Sequence, residues 1–204
     1  MKDMKTVIDL FERSCEKFPD NPYLWEKKNG KFAATSYMEV KREVLNFAGA
    51  LCQLGMDRED RIALLSEGCN AWVYSELGML YAGGVNVPLS IKLTDNEIVF
   101  RVEHSQARFL SVSANFLNRV RGIEGRIGGV EKIIVIHSDI NEGKYVSFEL
   151  LQREGEIWRG EHKELLNDRI RAVTEDDLVN ISYTSGTTAE PKGIMLSHRN
   201  YVTN

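Results

Sequence analysis

The chain predicts a layered α/β/α fold around a mainly parallel sheet. Short apolar runs recur along it: RIALLS at 61–66, VNVPL at 85–89, RFLSV at 108–112 and EKIIVI at 131–136. Strands that are apolar almost without a break are those buried on both faces, as in parallel sheets. Segments with apolar residues at helical spacing separate these runs, and that alternation places helices on both faces of the sheet. Capping residues and glycines mark the boundaries between the two kinds of segment.

Val7, Leu10, Phe11, Cys15 and Phe18 recur at helical spacing behind Thr6, a cap, and Pro19 and Pro22 end that helix. Residues 23–37 (YLWEKKNGKFAATSY) predict a hairpin, because Asn29-Gly30 supplies a turn that needs positive φ. Ser36 and Glu39 form a capping box that opens a helix with the stripe Val40, Val44, Phe47, Leu51 and Leu54, closed by Gly55. After the strand at 61–66, a helix over 70–82 ends at Gly83-Gly84. Thr94 and Glu97 open the next helix, and a further one spans 115–121.

Residues 137–174 are charged and weakly periodic, and they predict a variable surface excursion with one or two helical turns over 147–153. Thr174-Glu175-Asp176-Asp177 is a solvated turn leading into a strand over 178–183. Residues 193–196 form a returning strand, and Ser197 caps a helix containing His198, Arg199, Asn200 and Tyr201.

The net charge of −4 leaves no basic excess to neutralise phosphates, so no nucleic-acid partner is expected. Arg119, Arg121 and Arg126 are a solvated helix face. Cys15, Cys52 and Cys69 show no CxxC spacing, which predicts neither disulfides nor a zinc site but small core residues in a reducing compartment. His104, His137, His162 and His198 likewise have no metal-site spacing, and Trp72 and Tyr74 are assigned to the core. The N-terminus is amphipathic and lacks the apolar stretch of a signal peptide, and no apolar run reaches the ~20 residues of a membrane span. The expected location is cytoplasmic, with peripheral membrane association left open.

The chemistry concentrates in ISYTSGTTAEPKG at 181–193. Gly186 permits close backbone approach to a ligand, and consecutive main-chain N–H groups there can form an anion-binding nest. Thr184, Ser185, Thr187 and Thr188 add hydroxyls, and Lys192 adds a mobile charge suited to phosphate. One of the hydroxyls can also ligate Mg²⁺. The spacing differs from the mononucleotide P-loop, since five residues separate Gly186 from Lys192 and Gly193 follows the lysine.

YTSGTTAEPKGIMLSHRN closely resembles the phosphate-loop signature of the adenylate-forming (AMP-binding) superfamily, usually written YTSGTTGxPKGVMLTHRN. The stretches RIALLSEGCNAWVYSELGMLYAGGVNVPL and TDNEIVFRVEHSQARFLSV resemble upstream segments of the same superfamily, so the resemblance covers roughly residues 6–204. The chain looks most like the N-terminal part of a bacterial long-chain fatty acid CoA ligase. The departure that matters is Ala189, where the family commonly has glycine; Ile194 for valine and Ser197 for threonine are conservative.

The resemblance implies ATP-dependent, AMP-forming activation of a carboxylate, with coenzyme A as the thiol that captures the acyl-adenylate. It assigns Thr184, Ser185, Gly186, Thr187, Thr188 and Lys192 to the phosphates, Thr184 also to Mg²⁺, and His198 to the acyl region. It implies a truncated domain over 1–204, inactive alone, with no complete catalytic set. Alternatives are an amino-acid-activating adenylation domain of a peptide synthetase and a non-catalytic nucleotide-binding or scaffold protein.

Overall fold

The computed structural model describes residues 4–184 and 191–203. Helix α1 (Val7–Lys17) opens on a capping box in which Thr6 Oγ1 accepts from the Asp9 N–H and the Asp9 carboxylate accepts the Thr6 N–H at 2.9 Å. Strands β1 (Pro22–Lys28) and β2 (Lys31–Ser36) pair as a separate antiparallel hairpin. Asn29 (φ 51°) and Gly30 (φ 82°) both take the left-handed conformation that a two-residue hairpin turn requires. Helix α2 (Tyr37–Gln53) starts on the Ser36–Glu39 box and is closed by Gly55 at φ 77°.

The main alternation follows as β3 (Arg61–Leu65), α3 (Asn70–Tyr81), β4 (Val85–Leu89), α4 (Asp95–His104), β5 (Phe109–Ser113), α5 (Leu117–Ile123) and β6 (Lys132–Ile136). Next come β7 (Asn141–Glu142), β8 (Tyr145–Ser147), α6 (Phe148–Glu161), α7 (Lys163–Arg171), β9 (Leu178–Thr184), β10 (Lys192–Ser197) and α8 (His198–Val202).

The eight-stranded sheet runs in the order β10-β9-β4-β3-β5-β6-β8-β7. From β9 to β8 every pairing is parallel, and only the edges, β10 on β9 and β7 on β8, are antiparallel. Alternate residues of each strand feed two cores. Ile62, Leu64, Phe109 and Ile134 point to the side covered by α1, α2, α3 and α6. Ala63, Leu65, Leu110 and Ile133 point to the side covered by α4 and α5. This is the layered α/β/α arrangement that the apolar runs predict.

Residues 137–174 depart from expectation. Instead of one or two turns, α6 runs for 14 residues and buries Phe148, Leu151, Gln152 and Gly155. It lies so close to α2 that a Cβ on Gly155 would stand 1.9 Å from Asn46 O, and one on Gly49 would stand 2.7 Å from Gly155 O. Charged residues on the outer face dilute the apolar stripe, and a glycine in mid-segment reads as a breaker when its role is to admit a second backbone. Helix α7 is more peripheral, with Leu166 its one buried residue.

Candidate functional site

The hydroxyl-rich loop hangs from the rung that joins β9 to β10. Thr184 and Lys192 are register partners, followed by Tyr183–Gly193 and Ser182–Ile194. Directly opposed residues of an antiparallel pair carry their side chains on the same face with Cβ atoms about 5 Å apart. A hydroxyl and an ammonium therefore stand side by side, both exposed, where the chain enters and leaves the loop. Ser185, Gly186, Thr187, Thr188 and Ala189 lie outside the described residues.

Because β9 is parallel to β4, the loop leaves the sheet at its carboxyl edge, where open α/β sheets bind ligands. Gly193 lets the Ile181 and Tyr183 side chains pack close over the β9–β10 pairing. A Cβ there would fall 2.9 Å from Ile181 Cγ2 and 3.3 Å from Tyr183 Cζ.

Tyr183 fastens the rung to α4. Its hydroxyl lies 2.8 Å from His104 Nδ1, its ring meets Phe100 edge-on, and the Arg101 guanidinium sits 5.6 Å from the ring centre. Burial pushes the phenol up from its usual range. His104 was not legible as a site residue, since it lies 79 positions from Tyr183 in sequence.

Beneath the rung, Asn180 Oδ1 accepts from Ser182 Oγ at 3.1 Å and Asn180 Nδ2 donates to Tyr201 Oη. Its neighbour across the sheet, Asn86, donates to Glu76 Oε1 at 3.1 Å. Burial raises the Glu76 carboxyl, and the Asn86 bond partly offsets that.

His198 is 1% exposed, and its Nδ1 accepts the Val7 N–H at 3.1 Å. The imidazole thus satisfies an otherwise open donor in the first turn of α1 and ties α8 to it. Burial depresses its proton affinity, with Asp177 and Asp9 opposing that effect. Asp177 pairs with Arg58 at 2.5 Å and accepts the Thr174 N–H at 2.7 Å, while Asp176 pairs with Arg199 at 2.7 Å. The two aspartates therefore organise the turn before β9.

The other singled-out residues fall into packing or pairing roles. Trp72 and Tyr74 pack against the core. Burial raises the Cys15 thiol to about 11, and Cys15, Cys52 and Cys69 are all free. Arg119, Arg121 and Arg126 bond to Asp95, Glu142 and Asn96 respectively. Among the described residues, no helix is long and apolar enough to cross a membrane.

The AMP-binding enzyme family matches residues 11–204. The chain belongs to this family. It is 27% identical over 209 residues to a chloroplastic long-chain-fatty-acid–[acyl-carrier-protein] ligase of Arabidopsis thaliana, covering 97% of this chain and 29% of that one. It is 28% identical over 209 residues to a long-chain-fatty-acid–CoA ligase of Drosophila melanogaster, covering 97% and 30%.

Among solved structures, an anthranilate CoA ligase in complex with anthranoyl-AMP superposes with a TM-score of 0.76 at 26% identity, over 96% of this chain and 35% of that chain. The AMP-binding chain described here thus spans about a third of the length of the relatives it matches.

Proposed function

We propose that this AMP-binding chain is the N-terminal part of an ATP-dependent, AMP-forming acid–thiol ligase that acts on long-chain fatty acids. The observation that carries the reading is the Thr184–Lys192 rung, which frames a hydroxyl-rich loop at the carboxyl edge of the sheet. In the proposed reaction a carboxylate oxygen bonds to the α-phosphorus of ATP and the bond to the bridging oxygen breaks, releasing pyrophosphate. The thiol of coenzyme A then attacks the acyl carbonyl, its proton passes to solvent, and AMP leaves.

Lys192 and the groups of Ser185, Gly186, Thr187 and Thr188 bind the β- and γ-phosphates. Their contribution is positioning, together with stabilisation of charge on the departing pyrophosphate. The exposed Thr184 hydroxyl is a hard oxygen donor beside Lys192, a fit for Mg²⁺, which keeps most of its shell as water and phosphate oxygen. Bound there, Mg²⁺ would neutralise phosphate charge. His198 is assigned first to fastening α8 against α1, and through α8 to the acyl region. Three free cysteines support a reducing, cytoplasmic setting.

The relative from Arabidopsis thaliana is named for an acyl-carrier-protein acceptor, which supports a second reading with a carrier-protein thiol in place of coenzyme A.

The test is fatty-acid-dependent ATP–pyrophosphate exchange in the whole protein that contains this chain. Lys192→Ala should lower exchange by about 100-fold, the scale of losing one transition-state donor, with no change in melting temperature. Unchanged exchange would remove Lys192 from the phosphate role. Exchange driven by amino acids and not by fatty acids would refute the substrate class. Supplying coenzyme A or acyl carrier protein to the acyl-adenylate then separates the two acceptors. The 204-residue chain alone should show no exchange, since it spans a third of such enzymes.

A further inference from the structure

We propose that Glu26, Cys69 and His137 form a binding site for a zinc-class divalent cation, at the opposite side of the sheet's carboxyl edge from β9. The three residues come from distant parts of the chain, yet one ligand atom of each lies within 4.8 Å of those of the other two. Topology brings them together. The chain leaves β3 toward Cys69 and leaves β6 directly into His137, and β5 lies between these strands with all three parallel. The connection after β3 leads to β4 on one side, whereas that after β5 leads to β6 on the other. Strands β3 and β5 therefore flank the point where strand order reverses, and open α/β sheets bind ligands in the crevice there. The hairpin reaches over this crevice and contributes Glu26 from β1, held by the Asn70 N–H donating to Glu26 Oε1 at 3.1 Å.

Each donor is presented by neighbouring groups. His137 has φ +60°, a left-handed conformation that a non-glycine residue adopts at a cost. Its backbone N–H donates to Glu149 Oε1 at 3.0 Å, and its ring Nδ1 lies 3.3 Å from the same oxygen. A carboxylate on one ring nitrogen leaves the other, Nε2, for a metal, and this is the usual outer support of a metal-bound histidine. Cys69 is the N-cap of α3 without a side-chain cap bond, and its sulfur lies 3.9 Å from Ser66 Oγ, a weak contact that a sulfur–metal bond would replace. Glu26 Oε2 lies 3.7 Å from Lys28 Nζ, whose exposed side chain a bound cation would displace.

A separate observation points to a ligand. Gln152 on α6 is 8% exposed, and neither its Oε1 nor its Nε2 has a hydrogen-bond partner. Buried amides are almost always satisfied, so a wholly unpartnered one needs a reason. Gln152 lines a cavity of about 230 Å³ together with Glu26, His137 and Glu149. A cation held by three protein ligands keeps a fourth position for water, and the cavity beside Glu26 and His137 has room for it.

Tetrahedral zinc places its donor atoms about 3.3–3.6 Å apart, so the triad closes by roughly an ångström on binding. The exposed His137 ring has room to make that movement. A thiolate with an imidazole and a carboxylate favours the zinc class over Mg²⁺ or Ca²⁺, which prefer all-oxygen shells. On binding, Cys69 releases its thiol proton to solvent and a sulfur–metal bond forms.

The experiment is titration of the metal-free chain with Co²⁺, a spectroscopic stand-in for zinc, followed by displacement with Zn²⁺. We expect a thiolate-to-cobalt charge-transfer band saturating at one ion per chain and abolished by Zn²⁺. Cys69→Ser should remove the band and Cys52→Ala should leave it intact. His137→Asn, which tolerates the left-handed backbone, should weaken affinity at least tenfold. Zn²⁺ at a hundredfold excess over its Kd should raise the melting temperature by about 5–10 °C, because it fastens the hairpin to the main sheet. Absence of the band in the unmodified chain overturns the proposal. So does a band that survives Cys69→Ser, or an affinity unchanged by His137→Asn. If Cys69→Ser does not fold, the band in the unmodified chain and the His137→Asn affinity still decide. None of these readouts involves ATP, so the outcome is independent of the adenylation reading.

Discussion

Replacing Gly155 by alanine tests whether α6 is an integral layer of the fold. The added Cβ would lie 1.9 Å from Asn46 O, 2.7 Å from Ala50 N and 2.9 Å from Asn46 C, whereas ordinary contact begins near 3.4 Å. All three atoms belong to the α2 backbone, so no side-chain rotation relieves the clash. Helix α6 must retreat by roughly 1.5 Å (3.4 − 1.9), and the retreat also loosens the Phe47–Phe148 ring contact at 4.9 Å. Overpacking of this kind costs about 3 kcal/mol, at the upper end of the usual range. Alanine's better helix propensity returns about 1 kcal/mol, leaving a net loss near 2 kcal/mol.

At about 2–4 °C per kcal/mol for a domain of this size, the melting temperature should fall by about 4–8 °C. Gly160 in the same helix is the control, because nothing lies within 4 Å of its Cβ position. Gly160→Ala should be neutral or stabilising by up to about 1 kcal/mol. Scanning calorimetry and urea denaturation measure both variants. A Gly155→Ala chain as stable as the unmodified one would refute the tight α2–α6 crossing.

Burial depresses the His198 imidazole below its ordinary 6.5, so the unfolded chain takes up a proton there that the folded chain refuses. That contribution to stability is whole above 6.5 and declines as pH falls toward the lowered native value. His198→Asn, which keeps an acceptor for the Val7 N–H, should flatten the dependence across that window in urea titrations; identical slopes would count against it. Gly193→Ala should destabilise the β9–β10 pairing by about 1 kcal/mol, and Ile181→Ala in the same chain should recover part of that loss. Additive effects of the two changes would show that the 2.9 Å approach to Ile181 Cγ2 carries no coupling. In the whole protein, Thr184→Val should raise the Mg²⁺ concentration needed for half-maximal exchange, and an unchanged Mg²⁺ curve would take Thr184 out of the metal role.

Most local structure was legible because its causes are local. Thr6, Ser36 and Thr94 each open a helix through a bond to the residue three positions on; the pairs Ser36–Glu39 and Thr94–Glu97 form as read, and at Thr6, read as a cap alone, Asp9 completes a box. Asn29-Gly30 turns the hairpin because both residues tolerate positive φ. The apolar runs became strands with alternate residues in opposite cores. Helix α6 was underestimated because its stability comes from Gly155 meeting α2, a contact its own periodicity does not record.

The candidate sites divide the same way. The signature at 184–192 was readable from consecutive residues, and the register of β9 and β10 adds that Thr184 and Lys192 face each other on one rung. The Tyr183–His104 contact and the Glu26–Cys69–His137 cluster were not readable, and motif spacing argued against any metal site. By itself, the sequence determined the caps, the turns, the apolar partition of the strands and the family signature, all of which depend on neighbours a few positions apart. Only the tertiary structure decided which distant side chains meet, because that depends on strand order, on register, and on how closely one backbone can approach another.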